Sequence, residues 1–157
     1  MTNSKDEIGT FEPIAIVGLG AILPDAPDVS TFWKNVISGE VSIRNLPKDR
    51  WRSEDHWEAG GPKNISEGKT YSKIGAWVDE YEFDWKRWRI PPGSLPQIDL
   101  CQQWAVSVSA AALEDAGYLG DGASSNLPRE KTGVVFANAL GGENRTRSTE
   151  RVLIDRY

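Results

Sequence analysis

Ile14-Ala15-Ile16-Val17-Gly18-Leu19-Gly20 is the stretch on which the fold turns. Four apolar residues, three of them β-branched, run into two glycines one residue apart, which predicts a buried strand ending in a tight turn. Pro24 and Pro27 prolong the turn, and Ser30 then offers an N-cap to a helix carrying Phe32, Trp33, Val36 and Ile37 at helical spacing. Gly39 stands where a C′ glycine would close that helix. A second run of the same kind, Val134-Val135-Phe136-Ala137, follows Lys131-Thr132-Gly133 and is broken by Gly141-Gly142. Between the two runs, Asp99 starts the longest predicted helix, with Gln102 three residues on as in a capping box. Cys101, Trp104, Ala105, Val108, Ala111 and Ala112 make one apolar stripe on it, while Gln103, Ser107 and Glu114 are expected to face elsewhere. Gly117 supplies its stop, and residues 145–157 read as a further helix. The order strand, helix, insertion, helix, strand, helix predicts an α/β fold with a parallel sheet and helical crossovers.

Residues 1–12 are polar and aperiodic and are expected to form a tail, leaving 13–157 as one domain. Within it, residues 41–95 form a loop-rich insertion punctuated by Pro47, Gly60-Gly61-Pro62, Gly68, Gly75 and Pro91-Pro92-Gly93. Five of the seven tryptophans sit there, at positions 51, 57, 77, 85 and 88. Disordered linkers are poor in aromatics, so the insertion is expected to be ordered and packed on something. Ordered loops of this length inside a domain are usually functional.

The chain of 157 residues is 39% apolar and 26% charged, enough to bury a core and too polar to span a bilayer. Its first residues lack the pattern of a signal peptide, so the expected compartment is the cytoplasm. A single Cys excludes an internal disulfide and any Cys-cluster zinc site, and a single His excludes a mechanism needing two histidines from this chain. The net charge of −5 argues against nucleic acid and anionic membrane as partners. Arg145, Arg147, Arg151 and Arg156 are interleaved with Glu143, Glu150 and Asp155, which suits a solvated helix face better than a basic patch.

Each candidate site has a plainer reading beside it. Gly18-Leu19-Gly20 after a strand invites a dinucleotide loop, but Leu23 stands where a third glycine is needed and Pro24 follows. A structural turn is the better reading. Cys101 at a helix start could be an activated thiol, yet it lies on an apolar stripe, as buried structural cysteines do. His56 sits in the charged stretch Ser53-Glu54-Asp55-His56, which reads as surface. Asp79, Glu80 and Glu82 read as solvated turn charges and not as a glycosidase pair.

Taken together, several stretches resemble the N-terminal half of a β-ketoacyl synthase, the condensing domain of fatty-acid and polyketide synthases. They are Ile14 to Gly20 with Pro24, Phe32-Trp33-Lys34-Asn35 through Gly39, Asp49-Arg50-Trp51, and Gly68-Lys69-Thr70-Tyr71 leading into Ile74-Gly75-Ala76-Trp77-Val78 and Phe83-Asp84. Ala112-Leu113-Glu114-Asp115-Ala116-Gly117-Tyr118 and Thr132-Gly133-Val134-Val135 complete the series. One place departs from the common modular pattern: Asp99-Leu100-Cys101-Gln102 stands where that pattern has Asp-Pro-Gln-Gln. Together with Ile90-Pro91-Pro92-Gly93 through Ile98-Asp99, and with Ala137-Asn138 followed by Leu140-Gly141-Gly142-Glu143, it is similar to the polyunsaturated-fatty-acid and related iterative type of synthase.

The resemblance implies a thiolase-like fold, in which two similar α/β halves make a five-layered sandwich. It implies decarboxylative Claisen condensation by a Cys nucleophile and two His residues, all at positions beyond Tyr157, so Cys101 is not that nucleophile. It also implies an acyl carrier protein as partner, substrates carried on that protein's phosphopantetheine, no bound cofactor or metal, and a homodimer in the complete enzyme. The chain is then expected to be an N-terminal piece, inactive alone, of a multidomain synthase. A stand-alone binding or scaffold protein using half of the fold is the alternative. Leu140, between the second apolar run and Gly141-Gly142, matches a position that lines the acyl pocket, with ordinary core packing as the plainer reading.

Overall fold

The computed structural model describes residues 12–48, 52–64, 66–123, 126–139 and 142. Helix α1 spans Val29–Ser38 and helix α3 Leu100–Asp115, with the single-turn α2 at Ser53–His56. Two-residue strands β1 (Arg44–Asn45) and β2 (Ile74–Gly75) pair antiparallel, Arg44 opposite Gly75. Short 3-10 turns at Pro92–Gln97 and Arg129–Lys131 complete the regular structure.

Both long helices end as their sequences dictate. In α1 the cap is Asp28 and not Ser30: its Oδ1 accepts the Thr31 N–H at 2.7 Å and its Oδ2 the Thr31 hydroxyl at 3.1 Å. Carboxylate and hydroxyl are both good caps, and the one with a free N–H three residues on wins, which moves the helix start two residues earlier. Gly39, at φ 72, closes α1 through bonds from Gly39 N–H to Val36 O and from Glu40 N–H to Asn35 O. At the start of α3 the capping box is complete, the Asp99 N–H donating to Gln102 Oε1 at 3.0 Å. Its end is a Schellman pair, Tyr118 N–H to Leu113 O and Gly117 N–H to Glu114 O, with Gly117 at φ 74.

The predicted parallel sheet is not closed among the described residues. Neither Ile14–Val17 nor Val134–Ala137 belongs to a β-ladder, and the sheet that is present, β1 with β2, is antiparallel and lies within residues 41–95. A strand exists only through its partners, and these two runs instead leave their side chains in the open: Ile14 is 96% exposed and Val135 94%. The expected helix over 145–157 lies outside the described residues.

What organises the described part is α3, which is gripped on two sides. Gly18 and Gly20 press their backbone onto it. A Cβ on Gly18 would fall 2.2 Å from Ala112 O, and one on Gly20 would fall 2.3 Å from Val108 O. The Leu19 N–H donates to Asp115 Oδ2 at 2.8 Å. On another side, Tyr81 meets Trp104 edge-on at 6.1 Å and shares a hydrogen bond with Ser107 at 2.9 Å, while Arg87 pairs with Glu114. Ser107 and Glu114 therefore do not face away: they meet the 77–88 segment. The stripe periodicity shows one face, and polar contacts on a second face leave no apolar signature.

Residues 41–95 are held by their aromatics. The Trp57 indole donates to Tyr71 O at 3.1 Å, with the Lys73 ammonium 4.2 Å from its ring centre, and Trp77 packs under Gly75. Trp57, Trp77, Trp85 and Trp88 are all half-buried; Trp51 lies outside the described residues.

Candidate functional site

The sequence-level candidates fall into three separate places. Gly18-Leu19-Gly20 is the first. Its glycines face the α3 backbone, with Ala111, Ala112 and Ala116 as the close neighbours, and the small residues let the two chains approach. A phosphate loop needs its amides open toward a ligand at a helix N-terminus. Here the Leu19 amide is committed to Asp115, near the C-terminus of α3. The turn is structural.

The second place is the first turn of α3. Asp99 is buried and its Oδ1 accepts the Cys101 N–H at 3.1 Å. The Cys101 thiol is half-buried, and the Asn138 Nδ2 donates to Sγ at 3.4 Å. A hydrogen bond to the Asp99 carboxylate, with burial and carboxylate charge adding to it, pushes the thiol above its ordinary range, outweighing the opposing Asn138 contact. A helix N-terminus favours a thiolate, but a capping carboxylate at the same spot reverses the sign. His56 lies in α2, a different element, where its carbonyl accepts the Thr70 N–H at 2.7 Å.

One test follows directly. Asp99→Asn keeps a good N-cap and removes the charge that opposes the thiolate. Alkylation of Cys101 at neutral pH is expected to speed up severalfold in that variant of the isolated chain, which has no other cysteine to react. An unchanged or slower rate would mean that Asp99 does not govern the thiol.

The third place is a cleft of about 650 Å³ between the turn at residues 23–26, the 77–88 segment and α3, with Leu23, Ala26, Arg44, Tyr81, Trp88 and Ser107 on its walls. The turn itself is tight. Leu23 and Ala26 exchange backbone hydrogen bonds at 2.8 and 3.0 Å, Asp25 takes φ 55, and Ala26 is fully buried. Asp79 lies at the surface and is paired there with Arg44, which also holds Asp25 at 3.1 Å. Glu80 and Glu82 are exposed, as expected. Both cationic groups of the cleft are occupied, Arg44 by two carboxylates and Arg87 by Glu114. Neither guanidinium stands ready for an anionic ligand.

No group of three or more metal-ligating side chains occurs among the described residues. No helix there is long and apolar enough to cross a membrane. Leu140 lies outside the described residues, as do the arginines of the C-terminal run. Sequence reasoning assigns no contact to Tyr81 or Ser107, and Asn138 enters it only as part of the resemblance, not as a partner of Cys101.

Comparisons with known proteins agree on one relationship. The family described as β-ketoacyl synthase, N-terminal domain, matches residues 11–155. Polyketide synthase ThaG of Burkholderia thailandensis is 33% identical over 141 residues, which is 89% of this chain and 2% of that protein. Polyketide synthase PksN of Bacillus subtilis is 36% identical over 132 residues, 83% of this chain and again 2% of the relative. Among solved structures, the oxazolomycin ketosynthase domain of Streptomyces albus JA3453 matches with TM-score 0.58 and 31% identity, over 65% of this chain and 17% of that one. The chain thus spans only a small part of the proteins it matches.

Proposed function

Because the chain belongs to the β-ketoacyl synthase N-terminal domain family, we propose that it forms the N-terminal part of a ketosynthase within a multidomain polyketide synthase. The fold that goes with the family is thiolase-like, as in the matching ketosynthase domain. In this reading, residues 1–12 are a tail and 13–157 are part of the condensing domain, with 41–95 inserted in it. The single observation that carries the reading is the family match over nearly the whole chain.

The reaction is a decarboxylative condensation in the cytoplasm between units delivered on the phosphopantetheine of an acyl carrier protein. A Cys thiolate attacks the acyl thioester on the carrier and takes the acyl group as a new thioester, releasing the phosphopantetheine thiol. A malonyl thioester then loses carbon dioxide, and the resulting carbanion attacks the acyl carbonyl, releasing the Cys thiolate. Histidines and an oxyanion hole stabilise the developing charges. This chain has one Cys, its thiol pushed up by the Asp99 carboxylate, and one His on another element. The reacting groups therefore come from the remainder of the ketosynthase, and the chain's own part is to build the scaffold and, at Leu140, a wall of the acyl pocket. The complete enzyme is a homodimer in this proposal.

Carbon dioxide release from malonyl-carrier protein in the presence of an acyl primer tests the reading. The 157-residue chain alone is expected to give none. The complete synthase is expected to be active and to stay active with Cys101→Ala, and activity that vanished with that change would sink the proposal. In the same enzyme, Leu140→Trp is expected to shorten the acyl chain accepted while malonyl decarboxylation continues. An unchanged length preference at full activity would remove Leu140 from the pocket.

A further inference from the structure

Arg44, in β1, reaches both walls of the cleft of about 650 Å³. On one side its guanidinium donates to Oδ1 and Oδ2 of Asp25, each at 3.1 Å, in the turn at residues 23–26. On the other it pairs with Asp79 of the 77–88 segment. All three side chains are partly in solvent, 37–50% exposed. The turn is not at rest by itself: Asp25 takes φ 55, in the left-handed region where side chains are uncommon. Its supports come from elsewhere in the chain. Asn35 Nδ2 donates to Asp25 O at 2.9 Å, the Ser42 hydroxyl to Pro24 O at 3.2 Å, and Arg44 to the Asp25 carboxylate.

We infer that Arg44 is a latch: it ties the turn at residues 23–26 to the 77–88 segment across the mouth of the cleft, and the cleft widens when its ion pairs are broken. A planar guanidinium has donors enough to hold two carboxylates at once. Exposed ion pairs are individually weak, so such a latch opens and closes reversibly. Deprived of it, Asp25 loses one of the contacts that hold its backbone in a sparsely populated conformation, and the turn relaxes. The opening is confined to the Asp25–Asp79 side. Further along the 77–88 segment, Tyr81 stays bonded to Ser107 at 2.9 Å and Arg87 stays paired with Glu114, both partners being on α3. None of these contacts depends on the reaction proposed above.

Amide hydrogen exchange in the complete synthase tests the latch, read at Leu23 and Ala26, whose amides bond each other's carbonyls at 2.8 and 3.0 Å. Asp79→Asn is the decisive variant, because Asp79 belongs to the wall opposite these amides. It is expected to speed their exchange about threefold or more, with the Gly39 amide at the end of α1 as the unchanged reference. Asp25→Asn should do at least as much. The double variant should go no more than about twofold beyond Asp25→Asn, since both changes release one latch. Unchanged exchange in Asp79→Asn, or effects of the two changes that simply multiply, overturns the latch: Arg44 would then make two independent surface pairs.

The parent protein gives a second measurement, which needs no variant and stands even if the synthase lacks condensing activity. Raising the salt from about 0.1 M to about 1 M shortens the reach of charge from about 10 Å to about 3 Å. The Leu23 and Ala26 amides are expected to exchange faster in the parent at high salt. Hydroxyl-radical labelling of Leu23 and Trp88, on the cleft walls, should rise with it. Amides that ignore salt overturn the latch. So does faster exchange without added labelling, which would mean a frayed turn over an unopened cleft.

Discussion

Gly20→Ala is expected to destabilise the protein by at least about 3 kcal/mol, the upper range for forcing an extra methyl into a packed site. Its new Cβ would stand 2.3 Å from Val108 O and 2.8 Å from Ala112 N, so it meets backbone on the α3 side. Side-chain neighbours can rotate away, but a helix carbonyl cannot move without breaking its own hydrogen bond. Trimming Ala111 to glycine, the nearest side chain at 3.1 Å, should therefore give no rescue. Gly18→Ala meets Ala112 O at 2.2 Å and should behave alike. Gly122→Ala, with nothing within 4 Å, is the matched control and should change stability by less than about 0.5 kcal/mol. Thermal melts and soluble yield measure all three, and a Gly20→Ala protein melting with the parent would refute the close approach.

The isolated chain is expected to self-associate at micromolar concentration. Phe32, Trp33, Val36 and Ile37 form an exposed apolar face on α1, and Ile14, Ile16, Val17, Val134, Val135 and Phe136 are exposed as well. Among the described residues only Ala26, Phe83 and Ala110 are buried apolar side chains. Apolar surface on this scale marks an interface. Sedimentation velocity and binding of a hydrophobic dye should report oligomers, and Trp33→Glu with Ile37→Glu should reduce both. A monodisperse monomer with a sharp cooperative melt would instead favour a stand-alone protein built on half of the fold.

Local signals were legible in the sequence and non-local ones were not. Gly39, Gly117 and the Asp99–Gln102 box act within one turn of chain, so their roles could be read from neighbours three to five residues away. Ser30 and Asp28 are both competent caps, for the Trp33 and Thr31 N–H respectively, and only the geometry of Asp28 on Thr31 places the start of α1 two residues earlier. The strand character of Ile14–Val17 and Val134–Ala137 was read from residues that suit a ladder, but a ladder depends on a partner that composition does not name. The second face of α3 was hidden for a related reason: Tyr81–Ser107 and Arg87–Glu114 join segments 26 and 27 residues apart through polar groups. At the candidate site, the Asp99 carboxylate pushes the Cys101 thiol up, a cause that the apolar stripe of α3 does not carry. The partner of that thiol, Asn138, 37 residues on, could not be foreseen.

The hydrogen bond from Leu19 to Asp115 spans 96 residues of chain. During synthesis at about 5–20 residues per second, the segment holding Gly18 and Gly20 must therefore wait roughly 5–20 s for the helix it will lie on. For that interval, residues 18–20 are out of the ribosome with no α3 to lie on. Nascent chains stalled before α3 has emerged should be cut by protease at residues 18–24, and chains stalled well past residue 116 should be cut there more slowly. The two glycines then matter for timing as well as packing. A segment with no side chains on its docking edge can settle against a completed helix late, without reopening it.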